Sequence, residues 1–164
     1  MRRACPSPLP GKLPFLAALV LLAGACAGTS IYDSLTVAPA EYTVWNDTMP
    51  GSKPQCNAVL RLSLKNISED PVTLRDPEAV IVDAVSLAPL RRYPAMVTVD
   101  DRRVRAVTVE PGETIEVAFR SPSYGLPSID TELHPRVRIA IRMQSDLDVP
   151  LLFRSPIIDI FETQ

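Results

Sequence analysis

The chain of 164 residues carries 17 Lys and Arg against 19 Asp and Glu, which gives a formal net charge of −2. Three basic residues and no acidic ones lie in residues 1–25, so residues 26–164 hold 14 basic against 19 acidic side chains, a net charge of −5. This acidic balance argues against nucleic acid as a partner, and a chain of this length can form one domain with its own core.

The first 25 residues have the pattern of a secretory signal. Arg2, Arg3 and Lys12 are followed by the apolar run 13–25, LPFLAALVLLAGA. As a helix this run extends for about 20 Å, whereas the hydrocarbon core of a bilayer is about 30 Å thick. We therefore predict a cleaved signal peptide over residues 1–25 rather than a membrane-spanning helix.

Small residues and a cysteine end the apolar run. Ala23, Gly24 and Ala25 precede Cys26, and this stretch resembles the lipobox of bacterial lipoproteins, although the commonest form of that motif has leucine at the position of Ala23. The resemblance implies cleavage before Cys26, diacylglycerol on its sulfur and usually acylation of its freed amine. Two or more acyl chains hold a protein on a membrane essentially permanently. The alternative is an ordinary signal peptide and a soluble secreted protein without lipid.

The residues after the cysteine bear on the destination of such a lipoprotein. Ala27 and Gly28 follow Cys26, and in enteric-type bacteria the absence of aspartate at this place goes with export to the outer membrane. The resemblance thus implies a lipid-anchored protein of the cell envelope, in the outer membrane and facing the periplasm. We predict a lipidated tether over residues 26–34 and one domain over residues 35–164.

The domain is predicted to consist of strands. SLTVAPAEYTVW gives a first strand or two, broken at Pro39, and apolar residues then alternate with polar ones in three segments. The inward positions of these segments are Ala58, Leu60, Leu62 and Leu64 in AVLRLSLKN, Ile115, Val117 and Phe119 in TIEVAF, and Val137, Ile139, Ile141 and Met143 in RVRIAIRM. Between the first two, the apolar run 79–90 is either a central strand or a short helix. Strands with one polar face are typical of antiparallel sheets that pack on one side.

Turn signals separate the predicted strands. They fall at residues 66–70 (NISED), Asp100 and Asp101, residues 110–113 (EPGE) and residues 145–148 (SDLD). Short strands divided by such turns indicate a sandwich or a barrel. The segments LSLKNISEDPVTL and VEPGETIEVAF resemble the strand–turn–strand pattern of immunoglobulin-like domains in exported bacterial proteins. This resemblance implies an antiparallel β-sandwich of about 7–9 strands and no particular activity.

Few residues are suited to catalysis or to metal binding. His134 is the one histidine of the chain, and Cys56 is the one cysteine of the predicted domain, so no disulfide forms within it. We expect Cys56 to be buried and inert. Acidic pairs in turns, among which Asp146 and Asp148 are the best calcium candidates, are expected to serve turn geometry and solubility. We predict no enzymatic activity and no cofactor.

Arginines form the most conspicuous charged pattern. One group comprises Arg91, Arg92, Arg102, Arg103 and Arg105, and an outward stripe comprises Arg136, Arg138 and Arg142. We expect a solvated face paired with nearby acids, and the alternative is a basic surface toward acidic lipid headgroups or glycans. Asn46 and Asn66 begin glycosylation sequons, which in a bacterium indicate turn-forming asparagines.

The predicted function is that of a membrane-anchored binding or assembly module of the envelope. Its partners are the membrane, through lipid on Cys26, and an unidentified envelope protein, which sandwiches frequently bind at a sheet edge. The alternative is an exported protein that binds a solute or a metal.

Overall fold

The computed structural model describes residues 30–163, and its strands form two sheets. The strands in chain order are β1 (Leu35–Asp47), β2 (Gln55–Asn66), β3 (Val72–Asp83), β4 (Pro89–Pro94), β5 (Met96–Val99), β6 (Arg102–Val104), β7 (Ala106–Val109), β8 (Thr114–Arg120), β9 (Leu126–Pro127), β10 (Arg136–Ser145), β11 (Leu151–Arg154), β12 (Ile158–Asp159) and β13 (Phe161–Thr163). The prediction of an all-β fold is confirmed. The predicted signal peptide and Cys26 lie outside the described residues.

The strand order is that of an immunoglobulin-like sandwich. The first sheet runs β13-β1-β2-β8-β5-β6, and the second runs β11-β10-β3-β4, with β9, β12 and β7 beside β2, β10 and β3. The runs β1-β2-β8-β5 and β11-β10-β3-β4 correspond to the ABED and GFC sheets of the immunoglobulin fold, the second extended by one strand. Four of the thirteen strands have only two or three residues, so nine longer strands remain, in agreement with the predicted 7–9.

The core lies between the two sheets and is filled by alternate residues of the long strands. Leu60, Leu62 and Leu64 of β2 are fully buried, and so are Val137 and Met143 of β10. Full burial of each such side chain contributes about 1.5–3 kcal/mol, which is why the alternation in the sequence determines the strand faces. The inward positions predicted for these strands are confirmed.

The apolar run 79–90 forms strand rather than helix. β3 continues to Asp83, whose side-chain oxygen Oδ1 accepts hydrogen bonds from the amides of Val85 (3.0 Å) and Ser86 (2.7 Å) and thereby forms a turn. β4 then begins at Pro89. A helix is ruled out because β3 is central in its sheet, bonded to β10 on one side and to β4 and β7 on the other.

The predicted turn at Asp100 and Asp101 is confirmed, whereas the predicted break at Pro39 is a register shift within one continuous strand. β1 shifts its register against β2 between Pro39 and Glu41, as expected for a proline that cannot donate to the ladder. Asp100 and Asp101 form the two-residue hairpin between β5 and β6, with φ of 49° and 59°. Positive φ at both residues is the geometry of the tight hairpin turns in which Asn, Asp and Gly are favoured.

Residues 30–34, placed in the tether by the sequence, pack on the sandwich as a short 3-10 turn. Ile31 is 2% exposed, and the side chains of Ser30 and Asp33 cap the turn reciprocally. The phenol of Tyr32 donates a hydrogen bond to the carbonyl oxygen of Leu152 in β11. The start of the described chain is therefore attached to the edge of the second sheet.

Three turns lie together at one end of the sandwich, which we call the acidic end. They span residues 67–71, 110–113 and 146–150. Leu35 pairs with Asn66 and Lys65 pairs with Thr114, so the chain also enters the domain at this end. The three turns contain six acidic residues and no basic one: Glu69, Asp70, Glu110, Glu113, Asp146 and Asp148.

The two sequon asparagines are both buried. Asn66 is 0% exposed and does form a turn, since its Oδ1 accepts from the amide of Ser68 at 2.9 Å. Asn46 is 2% exposed but lies within β1, so the expectation of a turn is wrong there. Its side-chain amide instead pairs with the backbone of Ile129, donating at 2.7 Å and accepting at 3.1 Å, and so replaces a strand partner.

Candidate functional site

The outer face of the second sheet carries the predicted arginine stripe. Because Val137, Ile139, Ile141 and Met143 point inward, Arg138, Ala140 and Arg142 point outward. The neighbouring strands add residues through their register. We call the resulting surface the arginine face, and it consists of Glu78, Val80, Arg92, Arg138, Ala140, Arg142, Leu152 and Arg154.

Two rows of paired residues cross the arginine face. In the first row, Val80 of β3 pairs with Arg92 of β4 and with Ala140 of β10, which in turn pairs with Arg154 of β11. In the second row, Arg142 pairs with both Glu78 and Leu152. Arg142 and Arg154 are therefore diagonal neighbours on adjacent strands, with Cα atoms about 7–8 Å apart.

The charges on this face are not balanced. Arg92 donates to Glu78 at 2.8 Å, and Arg138 donates to the carbonyl oxygen of Ser155 at 3.0 Å. Within residues 30–163, the guanidinium groups of Arg142 and Arg154 have no carboxylate within 4.0 Å. The expectation that the predicted arginines pair with nearby acids is thus met for Arg92 and not for Arg142.

A shallow depression of about 470 Å³ lies between the arginines. Val80 and Ala140 line its centre, and Arg92, Arg142, Leu152 and Arg154 line its margin. Guanidinium groups offer planar forks of N–H donors that fit carboxylate and phosphate oxygens, while the small apolar centre lets a ligand approach the sheet. This arrangement can bind an anionic group.

The other predicted arginine group is divided between the sheets. Arg102 and Arg103 lie in β6 at the far edge of the first sheet, so they do not join Arg92. Arg91 points away from Arg92, and its side chain donates to the carbonyl oxygens of Pro127 (2.7 Å) and Ser128. The hypothesis of one basic surface from all these arginines is therefore wrong.

Sequence reasoning missed Arg154 as a member of the site. The short segment Leu151–Arg154 has three apolar residues in a row, and only the first of them is fully buried, so no clear alternation indicates its outward side. The position of Arg154 beside Ala140 depends on the register between β10 and β11. Leu151 is buried and Phe153 packs against the core, so Leu152 and Arg154 lie on the outer side of β11.

The single histidine has a structural position between two turns. Nδ1 of His134 lies 3.0 Å from Oδ2 of Asp83. The hydrogen bond from the amide of Ser86, followed by that from His134, lowers the pKa of Asp83 well below its ordinary value. His134 and Asp83 together connect the turn that ends β3 with the turn that precedes β10.

Cys56 is buried as predicted, with 0% exposure and no disulfide. Burial raises the pKa of its thiol to about 11, an effect that the nearby positive charge of Arg91 only partly offsets. The thiol is therefore neutral at physiological pH, and a neutral buried thiol is a poor nucleophile.

The acidic turn residues serve the turns. Asp146 accepts a hydrogen bond from the amide of Thr73 at 3.1 Å, and Asp148 has a φ of 57°, which Asp tolerates better than most residues. Over residues 30–163, no three His, Cys, Asp or Glu side chains come together as metal ligands would. In the same range, no helix is long and apolar enough to cross a membrane.

Comparisons with known proteins identify no family for this chain. No protein-family model matches it, and no curated protein matches it. Solved structures that resemble it include the sporulation control protein Spo0M from Bacillus subtilis (13% identity, TM-score 0.43, 80% of this chain and 49% of that one), the apo PCuAC domain of PmoF2 (10%, 0.40, 77% and 90%) and the periplasmic chaperone SfaE (11%, 0.36, 79% and 58%). The chain spans about half the length of Spo0M. At these identities and TM-scores, the likenesses indicate neither a ligand nor an activity.

Proposed function

We propose that the protein is a lipid-anchored component of the bacterial envelope whose sandwich binds a partner through the arginine face without transforming it. The observation that carries the binding role is the pair of diagonal arginines, Arg142 and Arg154, which have no carboxylate within 4.0 Å among residues 30–163. Two like charges side by side destabilise an isolated sheet, so an anionic partner is the natural counterpart of this arrangement.

The anchoring role is supported by the sequence around Cys26. A basic start, an apolar run that is too short to span a bilayer, and small residues before the cysteine together match the lipobox of bacterial lipoproteins. The mature protein would remain on its membrane because two or more acyl chains dissociate very slowly. The absence of aspartate after Cys26 supports an outer-membrane position.

The proposal includes no catalysis because the two side chains best suited to it, those of His134 and Cys56, are held in structural contacts. The ring of His134 contacts a turn carboxylate at 3.0 Å, and the thiol of Cys56 is buried and protonated. Both side chains thus have structural roles within the sandwich.

The anchor is tested by replacing Cys26 with Ala in the full chain and separating bacterial cells into membrane and soluble fractions. We expect the wild-type protein in the membrane fraction with incorporated labelled palmitate, and the variant in the soluble fraction without label. Cys56→Ala is the matched control and should behave as wild type. Equal partitioning of wild type and Cys26→Ala, with no label in either, would show a protein without lipid.

A further inference from the structure

The chain enters the domain beside the arginine face. Ile31 is buried in the core, and the phenol of Tyr32 is bonded to the carbonyl oxygen of Leu152. Leu152 belongs to the arginine face and is 57% exposed. The described chain therefore begins between the edge strands β1 and β11, at the margin of that face.

The distance from the proposed anchor to this point is short. Four residue steps separate Cys26 from Ser30, and even a fully extended chain covers at most about 14 Å in four steps. Lipid on Cys26, which is part of the proposed function, would thus confine Ser30 to within about 14 Å of the membrane surface, with the β11 edge beside it. The remaining question is which surface of the sandwich faces the headgroups.

Two surfaces adjoin the entry point, and their charges are opposite. The turns of the acidic end present six carboxylates and no basic residue, and Lys65 lies beside them at the end of β2. The arginine face presents four arginines and Glu78, and two of those arginines have no carboxylate near them among the described residues. A membrane surface rich in anionic lipid repels the first surface and attracts the second over a distance of about 8–10 Å.

We propose that the arginine face lies against anionic phospholipid headgroups of the membrane that holds Cys26, so that the sandwich rests on its second sheet. The guanidinium groups of Arg142 and Arg154 bind lipid phosphates, and the exposed side chain of Leu152 lies at the interface beside them. The first sheet, with β6 and the exposed Arg102 and Arg103, faces away from the membrane.

The orientation can be measured independently of lipidation in the cell. Mature protein, residues 26–164, is coupled through the thiol of Cys26 to a maleimide lipid in vesicles, which is selective because Cys56 is buried. A photoreactive benzoylphenylalanine replaces Leu152, and vesicles contain labelled phosphatidylglycerol in phosphatidylethanolamine. We expect strong crosslinking of this position to the labelled lipid. The same photoreactive residue in place of Tyr124, which is 72% exposed in a loop at the other end of β2, should crosslink at least five-fold less.

The effect of the arginine charges on crosslinking distinguishes binding to lipid headgroups from the closeness to lipid that the tether alone imposes. Each arginine near an anionic surface contributes about a five-fold change in affinity, so Arg142→Gln with Arg154→Gln should lower the equilibrium constant for docking by about 25-fold. Crosslinking at position 152 should fall at least five-fold in this variant and in 500 mM salt. Arg102→Gln with Arg103→Gln removes the same charge from the opposite edge and should leave the yield within two-fold of wild type.

Several outcomes would overturn the inference. Crosslinking at position 152 that is equally strong to labelled phosphatidylcholine in pure phosphatidylcholine vesicles would mean that the tether alone places it near lipid. Loss of crosslinking in inorganic phosphate, but not in chloride of the same ionic strength, would mean that the arginines select a small soluble anion. Since the coupling is chemical, failure here is distinct from failure of the palmitate experiment, which tests the natural anchor.

Discussion

The side chain of Asn66 donates a hydrogen bond to the carbonyl oxygen of Val109, 43 residues away in the chain, at 2.8 Å. The same amide donates to the backbone carbonyl oxygen of Asp70 at 2.8 Å. The backbone N–H of Asn66 donates to the carbonyl oxygen of Glu113, and its carbonyl oxygen accepts from the amide of Gly112. One buried asparagine thus joins the two turns of the acidic end, NISED and EPGE. These are the turns whose sequences resemble those of immunoglobulin-like domains.

Replacement of Asn66 by Ala should therefore destabilise the protein strongly. The change leaves the buried carbonyl oxygen of Val109 without its donor, at a cost of about 1–3 kcal/mol, and removes the acceptor of the Ser68 amide, at a cost of about 0.5–1.5 kcal/mol. We expect the free energy of unfolding to fall by about 3 kcal/mol in urea titrations of the mature Cys26→Ala protein, followed by circular dichroism. Asn57→Ala, a half-buried outward position of the same strand, should change it by less than about 0.5 kcal/mol. A loss below about 1 kcal/mol for Asn66→Ala would contradict this role.

The fold could be predicted because its strongest determinant is local. Alternation in residues 58–64, 115–119 and 137–143 identified three long strands and their inward faces, and all three are confirmed. Residues 79–90 do not alternate, so their sequence did not distinguish a strand from a helix. The outward positions of β3 include the apolar residues Val80 and Val82, and Val82 is buried, so its sequence does not alternate.

The candidate site could be predicted only in part, because its composition depends on strand neighbours. The outward positions of Arg138 and Arg142 follow from alternation within one segment. Their meeting with Arg92 and Arg154 depends on which strands pair and in which register, and no local pattern contains that information. The chain crosses between sheets at Ala95, which separates Arg92 from Arg102 although both lie in one arginine-rich stretch.

The carboxylate of Asp83 should make stability depend on pH in the acidic range. Its folded-state pKa is lowered, chiefly by the amide of Ser86 and then by His134, whereas an unfolded Asp titrates near about 3.9. A depressed folded pKa stabilises the native state above the unfolded pKa, and this contribution is lost as the pH falls below about 4. We expect Asp83→Asn, which keeps an acceptor for the turn amides, to lose less stability than wild type between pH 7 and pH 3.

Urea titrations at each pH measure this difference directly. Asp101→Asn removes one exposed carboxylate from another turn and is the matched control for net charge. Parallel stability curves for wild type and Asp83→Asn over this range would show that Asp83 does not contribute in this way.

Leu87 adopts a left-handed backbone conformation with φ of 59° in the turn between β3 and β4. This conformation costs a residue with a Cβ atom about 1–2 kcal/mol, whereas glycine adopts it freely but loses about 0.5–1 kcal/mol through the entropy of the unfolded chain. Because Leu87 is 44% exposed, its side chain contributes little packing. We expect Leu87→Gly to leave the free energy of unfolding unchanged or to raise it by up to about 1 kcal/mol.

The contrasting variant at the same position is Leu87→Val. A β-branched residue is disfavoured further at positive φ, so this change should lower the free energy of unfolding by about 1 kcal/mol. Thermal and urea unfolding measure the free energy of unfolding of both variants and of the wild type. A Gly variant less stable than the Val variant would mean that the side chain matters more than the backbone conformation.

The thiol of Cys56 should react only when the sandwich opens. Burial raises its pKa to about 11, while an unfolded cysteine has a pKa near about 8.5, so at pH 8 the thiolate fraction is a few hundred-fold lower in the native protein. In the mature Cys26→Ala protein, Cys56 is the one remaining thiol. We expect iodoacetamide at pH 8 to modify it at least about a hundred-fold more slowly in buffer than in 6 M guanidinium chloride. Its modification rate should also increase in Asn66→Ala, because a less stable sandwich opens more often. Rapid modification of the folded wild type, with unchanged circular dichroism, would instead place Cys56 at an accessible and reactive site.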